Sequence, residues 1–321
     1  MNNDKIIITS ALPYANGEIH LGHIVSTYLP ADILSRFLRL NNKVVIFTCA
    51  TDDFGTPILL QSEKQNITPK EYVKYWKNRD QNDFKDLGIN FDHFQNTSSN
   101  RNIELTQHFF KEIYNNDLIY KNKISQLYCE TDNKYLPDRY VTGTCPYCNT
   151  DGQYSDGCEK CGRAFNHTEI LEPRCSICQT KPILKSSVHY FFKLSSLSND
   201  LKNWLDKNDY LQKNVKNYVI RWIEDGLNDW DITRDISWGI EIPLAEADGK
   251  VLYGWFDNHL CYISTTIDYL ESKGLDGKKF WNDSTIYHFI GKDIVYHHYL
   301  FLTAMRLAIN EEYKLPEYIP T

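Results

Sequence analysis

Four cysteines in the middle of the chain restrict its fold more than any other feature of the sequence. They form two pairs, Cys145-Pro-Tyr-Cys148 and Cys158-Glu-Lys-Cys161, in the spacing C-x2-C-x9-C-x2-C. Zinc takes four thiolates in tetrahedral geometry at about 2.3 Å, and this spacing is typical of such sites. Gly152, Gly157 and Gly162 let the backbone turn its amides towards the sulfurs. The pattern predicts a zinc knuckle pair at Cys145, Cys148, Cys158 and Cys161, rather than four unliganded thiols.

A third pair, Cys175-Ser-Ile-Cys178, needs two further ligands to hold a second metal. The upstream segment with matching spacing is Cys129-Glu-Thr-Asp132, which gives a set of three cysteines and one aspartate: Cys129, Asp132, Cys175 and Cys178. A carboxylate is a harder ligand than a thiolate and contributes less zinc affinity here. The sequence therefore leaves three outcomes open for the second site: weakly bound zinc, no zinc, or completion by His167 or His189.

The composition of the 321 residues is that of a globular protein, with 42% hydrophobic and 24% charged side chains. At about 150 residues per domain, this length suggests roughly two folding units. No apolar run approaches the roughly 18 residues of a membrane span, and the N-terminus lacks the pattern of a secretory signal. We expect no membrane association and a cytoplasmic location, where thiols stay reduced. Cys49 and Cys261, outside the metal sets, are predicted to be buried small hydrophobes.

The charge balance limits the partners of the chain. With a net charge of -7, we expect no sequence-independent binding of nucleic acid. RNA would have to bind at a local basic patch, with an affinity that falls as salt rises. Aromatic residues make up 14% of the chain, which suits a core, a pocket or base stacking, and composition does not choose among these.

The first 115 residues alternate between predicted strands and predicted helices. Strands are expected at Lys5 to Ser10 and Lys43 to Ala50; helices are expected from near His20 to Arg39, at Pro57 to Lys64, from a Thr68–Glu71 capping box to Gly88, and at Asn102 to Tyr114. Because Pro30 has no N–H, we expect the first helix to kink or split before Asp32. The alternation predicts an α/β fold with a buried parallel sheet.

The alternation stops between residues 116 and 228. This stretch holds the metal-type cysteine pairs, short Tyr-rich strands and one amphipathic segment at Leu197 to Leu205. Beyond Trp230, a strand at Thr285 to Ile290 and a helix at Ile294 to Ile309 are placed to rejoin the first sheet. We therefore predict the first half of an α/β catalytic domain at 1–115, an insertion at 116–228 and the second half at 229–321.

The loop after the first predicted strand carries the clearest chemical signal. It reads Ala11-Leu-Pro-Tyr-Ala-Asn-Gly-Glu-Ile-His-Leu-Gly-His23 and opens the first helix. Free backbone N–H groups and the helix dipole attract phosphate at such a position. His20 and His23 are three residues apart and project from the same face of the first helical turn, while Gly22 leaves room for a nucleotide. The alternative is a capped helix that carries two surface histidines.

This loop resembles the HxGH signature of the class I aminoacyl-tRNA synthetases, and Ala11-Leu-Pro-Tyr-Ala-Asn-Gly17 is similar to the methionyl branch of that family. Further segments that resemble this branch are Lys134–Tyr140, Trp230–Asp235 and Tyr287–His298. The members of the family specific for leucine, isoleucine and valine resemble the chain less. They carry a much larger editing domain in place of the insertion at 116–228. The resemblance implies a Rossmann-like parallel sheet interrupted by a zinc-binding connective peptide.

The resemblance also implies a reaction, in which ATP activates L-methionine to methionyl-adenylate and the methionyl group is then transferred to the 3′ end of tRNA(Met). The protein must align the amino-acid carboxylate with the α-phosphate and stabilise charge on the phosphate oxygens. By resemblance, the catalytic residues are His20, His23 and Arg234, and the residues of the ATP site, where Mg²⁺ accompanies ATP, are Gly22, Glu241, Gly291 and Asp293. A helix N-cap is the alternative role for Asp293.

Selecting a thioether requires an apolar, aromatic pocket shaped for an unbranched chain. By resemblance, Asp52 would pair with the substrate ammonium group, and the pocket wall would comprise Leu12, Tyr14, Trp255, Tyr262, Ile294 and His298. Plain core packing is the alternative for Trp255 and Ile294, and a helix cap is the alternative for Asp52. The chain departs from the family at Asp257-Asn-His-Leu260, where small residues usually follow the aspartate. This change predicts altered affinity or selectivity.

The sequence ends at Pro316-Glu-Tyr-Ile-Pro-Thr321, before the KMSKS-like loop and the anticodon-binding domain that the resemblance implies. We therefore expect a catalytic fragment that binds methionine and zinc and charges tRNA weakly. One rival interpretation is a non-catalytic zinc-containing binding or regulatory module derived from a synthetase. A second is a small HxGH nucleotidyltransferase, a class that lacks the cysteine-rich insertion.

Overall fold

The structure is a computed structural model that describes residues 5–155, 157–163, 168–247 and 249–321. In chain order its strands are β1 Lys5–Ser10, β2 Val44–Thr51, β3 His93–Asn96, β4 Ile119–Cys129, β5 Lys134–Tyr135, β6 Val141–Thr144, β7 Gln153–Tyr154, β8 Leu171–Cys175, β9 Ile183–Phe192, β10 Trp230–Asp231, β11 Thr233–Arg234, β12 Val251–Leu252 and β13 Thr285–Phe289. Its α-helices are α1 Leu21–His23, α2 Leu29–Leu40, α3 Thr56–Gln65, α4 Pro69–Asp86, α5 Asn100–Asn115, α6 Ser198–Lys207, α7 Lys213–Asp225, α8 Gly254–Ser272, α9 Gly277–Asp283 and α10 Thr303–Leu307.

The central sheet is parallel and has the strand order β13-β1-β2-β3. On β1, Ile7 is paired with Ile46 of β2 on one side and with Ile286 of β13 on the other. Strand β13 follows β1 by more than 270 residues in sequence, so the intervening chain leaves the sheet and returns to it. The predicted α/β fold with an interrupted parallel sheet is therefore confirmed.

Both faces of this sheet are covered, as the continuous apolar run in β1 predicts. Alternate side chains point to opposite faces, so Ile6 and Ile8 join Tyr28 in one core while Ile7 and Phe256 belong to the other. The first core packs the helix after β1 against the sheet, and the second core packs α8 there. The carboxyl ends of β1, β2 and β13 are left open between these layers.

The insertion is built around a long hairpin-like pair rather than the short strands predicted. Strands β4 and β9 pair antiparallel from Ile119–Phe192 to Tyr128–Ile183, and β5 and β10 flank them. A three-stranded sheet of order β7-β6-β8 lies between them in sequence and carries the cysteine loops. Among the described residues, no helix combines the length and apolar character needed to cross a membrane.

Two helix predictions need correction, and the helices α7, α8 and α9 were not predicted. Residues Leu21 to Leu40 stay helical throughout, so the split expected before Asp32 does not occur, and a wider π-type turn at Ile24–Tyr28 precedes Pro30. The helix predicted at Ile294 to Ile309 is divided into short helical turns of different kinds. Helix α8 went unpredicted because it is buried on nearly all sides and shows no polar face.

Candidate active site

A cavity of about 1310 Å³ opens where β1, β2 and β13 end. This is the edge at which open parallel sheets bind ligands. Most of the predicted catalytic, ATP-site and amino-acid-site residues line it, namely Leu12, Tyr14, His20, Gly22, His23, Asp52, Arg234, Trp255, Gly291, Asp293 and Ile294. Residues as far apart in sequence as Leu12 and Ile294 thus share one cavity.

The imidazoles of His20 and His23 form a stacked pair at the start of α1. Their ring centroids are 3.7 Å apart and the ring planes differ by 23°. Nδ1 of His20 accepts a hydrogen bond from the N–H of Gly22 at 3.1 Å, and Nδ1 of His23 accepts one from the N–H of His20 at 3.4 Å. These capping bonds use the Nδ1 atoms, so the Nε2 atoms are available to a ligand at the helix N-terminus.

Gly22 keeps this pair in place by the absence of a side chain. A Cβ atom at this position would lie 2.9 Å from Cε1 of His20. Any larger residue must therefore displace the His20 ring. This steric role adds to the predicted one, which was room for a nucleotide.

The Asp52 carboxylate lies just beyond β2 at the cavity wall. Its Oδ2 atom accepts a hydrogen bond from Nδ2 of Asn258 at 2.8 Å, and Oδ1 accepts one from the N–H of Phe54 at 3.4 Å. Burial, followed by repulsion from Asp53, raises the pKa of Asp52 to about 7. The N-cap of the following helix α3 is Gly55, and no side chain caps this helix, so Asp52 is not a helix cap.

The loop after β1 is fixed to Asp52 through its backbone. The N–H of Asp52 donates to the carbonyl of Pro13 at 2.8 Å, and the N–H of Ala15 donates to the carbonyl of Asp52 at 2.9 Å. Tyr14 lies between these bonds, and its pKa is raised by burial and by Asp52. Gly55 has φ of 117°, and a Cβ there would meet the Tyr14 hydroxyl at 2.8 Å. Glycine is required at this contact.

Tyr262 and His298 lie behind the cavity wall rather than on it. Both are buried, and the Tyr262 hydroxyl lies 2.8 Å from Nε2 of His298. Nδ1 of His298 lies 2.9 Å from the carbonyl oxygen of Ile294. Burial lowers the pKa of His298 to about 3, so its ring is neutral near pH 7. The two residues support the wall that Ile294 presents to the cavity.

The Arg234 guanidinium reaches the cavity from β11. It lies over the ring of Tyr253, 3.8 Å from the centroid, and Nη1 donates to the carbonyl of Thr233 at 2.6 Å. Nη1 also lies 3.5 Å from a carboxylate oxygen of Asp231. These contacts restrict the side chain to one edge of the cavity.

The buried side chain of His189 connects strand β9 of the insertion to Asp231 and Asp235, the aspartates on either side of Arg234 in the sequence. Nδ1 of His189, on β9, lies 2.8 Å from Asp231, and its Nε2 lies 2.8 Å from Asp235. Burial lowers the pKa of His189, but its bonds to the two carboxylates outweigh burial and the net shift is upward. Burial likewise opposes ionisation of Asp235, yet bonds from His189, Lys250 and Ser187 lower its pKa to about 2.

The structure does not bring Glu241 to the cavity. Its side chain is exposed, and its carbonyl accepts a hydrogen bond from Gln107 on α5. Asp293 lines the cavity from within a short helical turn whose N-cap is Gly291, so the N-cap alternative for Asp293 fails.

Two basic residues of the cavity lining were not predicted. Arg139 and Lys292 line the cavity with positive charge. Both belong to segments, 134–140 and 287–298, whose family resemblance was the available signal.

The four cysteines of the first predicted metal set come together in the three-stranded sheet. The Sγ atoms of Cys145 and Cys161 are 3.9 Å apart, and those of Cys148 and Cys158 are 3.5 Å apart. Tetrahedral zinc with bonds of about 2.3 Å requires sulfur pairs roughly 3.8 Å apart. All four ligand atoms lie within 4.8 Å of one another. The set therefore fits a zinc ion.

The second predicted set also converges. Cys129 Sγ lies 3.4 Å from Cys178 Sγ and 3.2 Å from Oδ2 of Asp132, which is 3.1 Å from Cys175 Sγ. These four atoms also lie within 4.8 Å of one another. His189 is held by Asp231 and Asp235 instead, and His167 lies outside the described residues.

Known proteins that are similar to this chain agree with the fold and the site geometry described above. A family model described as tRNA synthetases class I (M) matches residues 6–321. The methionine–tRNA ligase of Methanobrevibacter smithii is 48% identical over 315 residues, covering 98% of this chain and 47% of that protein. The methionine–tRNA ligase of Pyrococcus furiosus is 40% identical, covering 98% of this chain and 46% of that protein.

A solved structure of the same fold is the Mycobacterium tuberculosis methionyl-tRNA synthetase in complex with methionyl-adenylate. It superposes with a TM-score of 0.74 at 22% identity, covering 98% of this chain and 56% of that one. The chain spans about half the length of the curated relatives it matches.

Proposed function

The chain belongs to the class I tRNA synthetases of the methionine type, and we propose that its cavity activates L-methionine with ATP. The amino-acid carboxylate attacks the α-phosphorus, the bond to the β-phosphate oxygen breaks, and methionyl-adenylate and pyrophosphate result. The methionyl group then passes to the 3′ end of tRNA(Met). The observation that carries this proposal is that the His20–His23 pair and the Asp52 carboxylate share one cavity at the ends of β1 and β2.

The two imidazoles are suited to the phosphate side of the reaction. Their Nε2 atoms would donate to the oxygens of the α-phosphate, where negative charge grows in the transition state. The N-terminus of the helix supports the same charge, and Arg234 adds a positive group at the cavity edge. The Mg²⁺ that accompanies ATP would supply further charge neutralisation. Gly22, Gly291 and Asp293 are proposed to hold the nucleotide.

Asp52 is suited to the ammonium group of the amino acid. Its carboxylate accepts a hydrogen bond from Asn258, which orients it. It lies in the cavity wall, and other residues of the same lining are Leu12, Tyr14, Trp255 and Ile294. An ammonium group next to it would favour the ionised carboxylate. The amino-acid side chain would then point towards Trp255, in front of the buried residues Tyr262 and His298.

We also propose that both cysteine sets bind Zn²⁺ with a structural role. All four positions of each site would be filled by protein ligands, which is the arrangement of structural rather than catalytic zinc. The ions would hold the loops of the insertion at 116–228 in place. The boundaries 1–115, 116–228 and 229–321 are proposed as the domain limits.

Binding of methionyl-sulfamoyl-adenosine, a stable analogue of methionyl-adenylate, tests this function. Isothermal titration calorimetry on the 321-residue polypeptide should show one site, and Asp52→Ala should weaken it at least 30-fold. His108→Ala, which removes an imidazole that contacts Glu311 outside the cavity lining, is the control. A folded protein that binds no aminoacyl-adenylate analogue would favour the non-catalytic zinc module. Adenylyl transfer to a cofactor precursor would favour the nucleotidyltransferase.

A further inference from the structure

Strand β9 of the insertion holds the segment 231–235, which carries Arg234. The N–H of Tyr190 donates to Oγ1 of Thr233 at 3.1 Å, and the N–H of Ile232 donates to the carbonyl of Tyr190 at 3.0 Å. Within this segment, all five residues of which the structure describes, Arg234 lines the cavity and the other four do not. The insertion therefore sets the position of the backbone from which the Arg234 side chain extends.

His189, next to Tyr190 on β9, has a carboxylate at each of its ring nitrogens. The side chain is 0% exposed, and Nδ1 lies 2.8 Å from Asp231 while Nε2 lies 2.8 Å from Asp235. An ionised carboxylate only accepts hydrogen bonds, so both ring nitrogens must carry a hydrogen and the ring is a charged imidazolium. Burial lowers the pKa of His189, yet the two bonds raise it overall, which agrees with this state.

The other groups around His189 leave its positive charge to Asp231. The side-chain amide of Gln126, on β4, faces Nε2 at 2.8 Å and is neutral. Lys250 forms an ion pair with Asp235, so this second carboxylate already has a positive partner. The charges therefore alternate along one line: Lys250, Asp235, His189, Asp231 and Arg234.

Asp231 lies between His189 and Arg234 and is held more closely by the histidine. Its two oxygens are 2.8 and 3.0 Å from Nδ1 of His189, whereas the nearer one is 3.5 Å from Nη1 of Arg234. Hydrogen bonds between charged groups are ordinarily about 2.7–2.9 Å long. The Arg234 guanidinium instead lies 3.8 Å from the ring centroid of Tyr253, which also lines the cavity.

We propose that His189 is a positioning residue for Arg234: the charged ring binds Asp231 and thereby keeps the guanidinium directed at the negatively charged groups of the bound ligand. A neutral residue at 189 would leave the Asp231 carboxylate uncompensated, and Arg234 would move towards it and away from the cavity. The inference rests on the proposed function, because it assumes that Arg234 contacts the adenylate. It deepens that function by giving the insertion a part in ligand binding.

Binding of methionyl-sulfamoyl-adenosine, whose acylsulfamate linker is negatively charged, tests this inference on the 321-residue polypeptide. His189→Gln removes the charge, so calorimetry should show binding weakened on the order of 10-fold or more. Adding Asp231→Asn to His189→Gln removes the carboxylate that would draw Arg234 away. The double variant should therefore regain affinity to within about 3-fold of wild type. A purely structural role of His189 predicts that the second substitution leaves the loss unchanged or increases it.

His108→Gln is the matched control, because it changes an imidazole that contacts a carboxylate, Glu311, outside the cavity lining. Its affinity should equal that of wild type. Unchanged affinity in His189→Gln, or a double variant as weak as the single one, overturns the inference while the proposed function stands. If folded wild type binds no analogue, the proposed function fails and the inference fails with it.

The charge state of His189 can also be measured without any substitution, should His189→Gln not fold. Nitrogen NMR of wild type labelled with ¹⁵N-histidine should show, at pH 7, one imidazolium ring whose two N–H groups exchange slowly with solvent, as burial between two carboxylates requires. Absence of such a ring overturns the inference.

Discussion

The rings of His20 and His23 stack with centroids 3.7 Å apart, each held by a backbone hydrogen bond at the first turn of the helix after β1. Stacking and capping together fix where the two Nε2 atoms lie before any ligand arrives. Donors that are oriented in advance stabilise a transition state without a cost of reorganisation. The geometry therefore predicts a catalytic contribution from each ring.

Replacing either ring should slow activation more than it weakens substrate binding. His20→Ala and His23→Ala should each lower the rate of amino-acid-dependent ATP–pyrophosphate exchange by on the order of 100-fold or more, about 3 kcal/mol of barrier, with little change in KM. His108→Ala serves as the control, since its ring contacts Glu311 away from the cavity. Unchanged exchange in both variants would show that the pair does not act on the phosphate.

Gly22→Ala should impair the same step without destabilising the fold. The added Cβ would lie 2.9 Å from the His20 ring, and this exposed ring can move away at little cost to stability. Exchange should fall at least 10-fold while the unfolding temperature stays within a degree or two of wild type. At Gly17 of the same loop a Cβ meets no atom within 4 Å, so Gly17→Ala is the control. Equal activities of the two variants would contradict the steric role.

Amino-acid binding should depend on pH through Asp52. Its pKa is raised to about 7, and only the ionised carboxylate pairs with an ammonium group, so affinity should fall as pH drops below 7. Asn258→Ala removes the bond at 2.8 Å that favours the ionised form and should move this midpoint upward. Titration calorimetry from pH 5.5 to 8 measures both effects. An affinity that is flat over this range in wild type would rule out the assigned pairing.

Metal analysis should find two zinc ions per polypeptide. Cys158→Ser should remove one ion and Cys175→Ser the other, because each belongs to a different ligand set. Cys261→Ser, a buried thiol outside both sets, should leave the zinc content unchanged. Mass spectrometry of the purified proteins measures the stoichiometry. Two ions in either ligand variant, or none in wild type, would contradict the assignment.

The buried His189 should contribute more to stability at low pH than at high pH. Its folded pKa is raised, so the contribution is complete below the unfolded value of about 6.5 and is lost as pH rises through the folded value. His189→Leu leaves Asp231 and Asp235 without this partner and should cost about 3 kcal/mol. Urea unfolding of both proteins at pH 5.5 and 8 tests this, and a larger loss at pH 8 would refute it.

Local signals predicted the first half of the fold well. Strand β1 has the predicted bounds Lys5–Ser10, and both bonds of the capping box of Thr68 and Glu71 are present. The sequence could not reveal helix α8 or the wide turn before Pro30. A helix that is buried on nearly all sides has no amphipathic period, and a π-type turn depends on packing around it.

For the site, residues close in sequence were easier to predict than pairs joined by the fold. The His20–Gly22–His23 spacing was sufficient to place both rings on one helical turn. The bond between Asp52 and Asn258 joins residues 206 positions apart, and no local pattern specifies it. Glu241 was associated with the nucleotide by resemblance alone, and only the structure shows that it is exposed outside the cavity lining, with its carbonyl bonded to Gln107 of α5.

A crystal structure of the polypeptide with methionyl-sulfamoyl-adenosine tests the central claim most directly. We predict that the sulfamoyl group lies within hydrogen-bonding distance of Nε2 of His20 and His23, and that the ammonium group contacts the Asp52 carboxylate. Density for the analogue outside this cavity, or both rings turned away from the sulfamoyl group, would contradict the account.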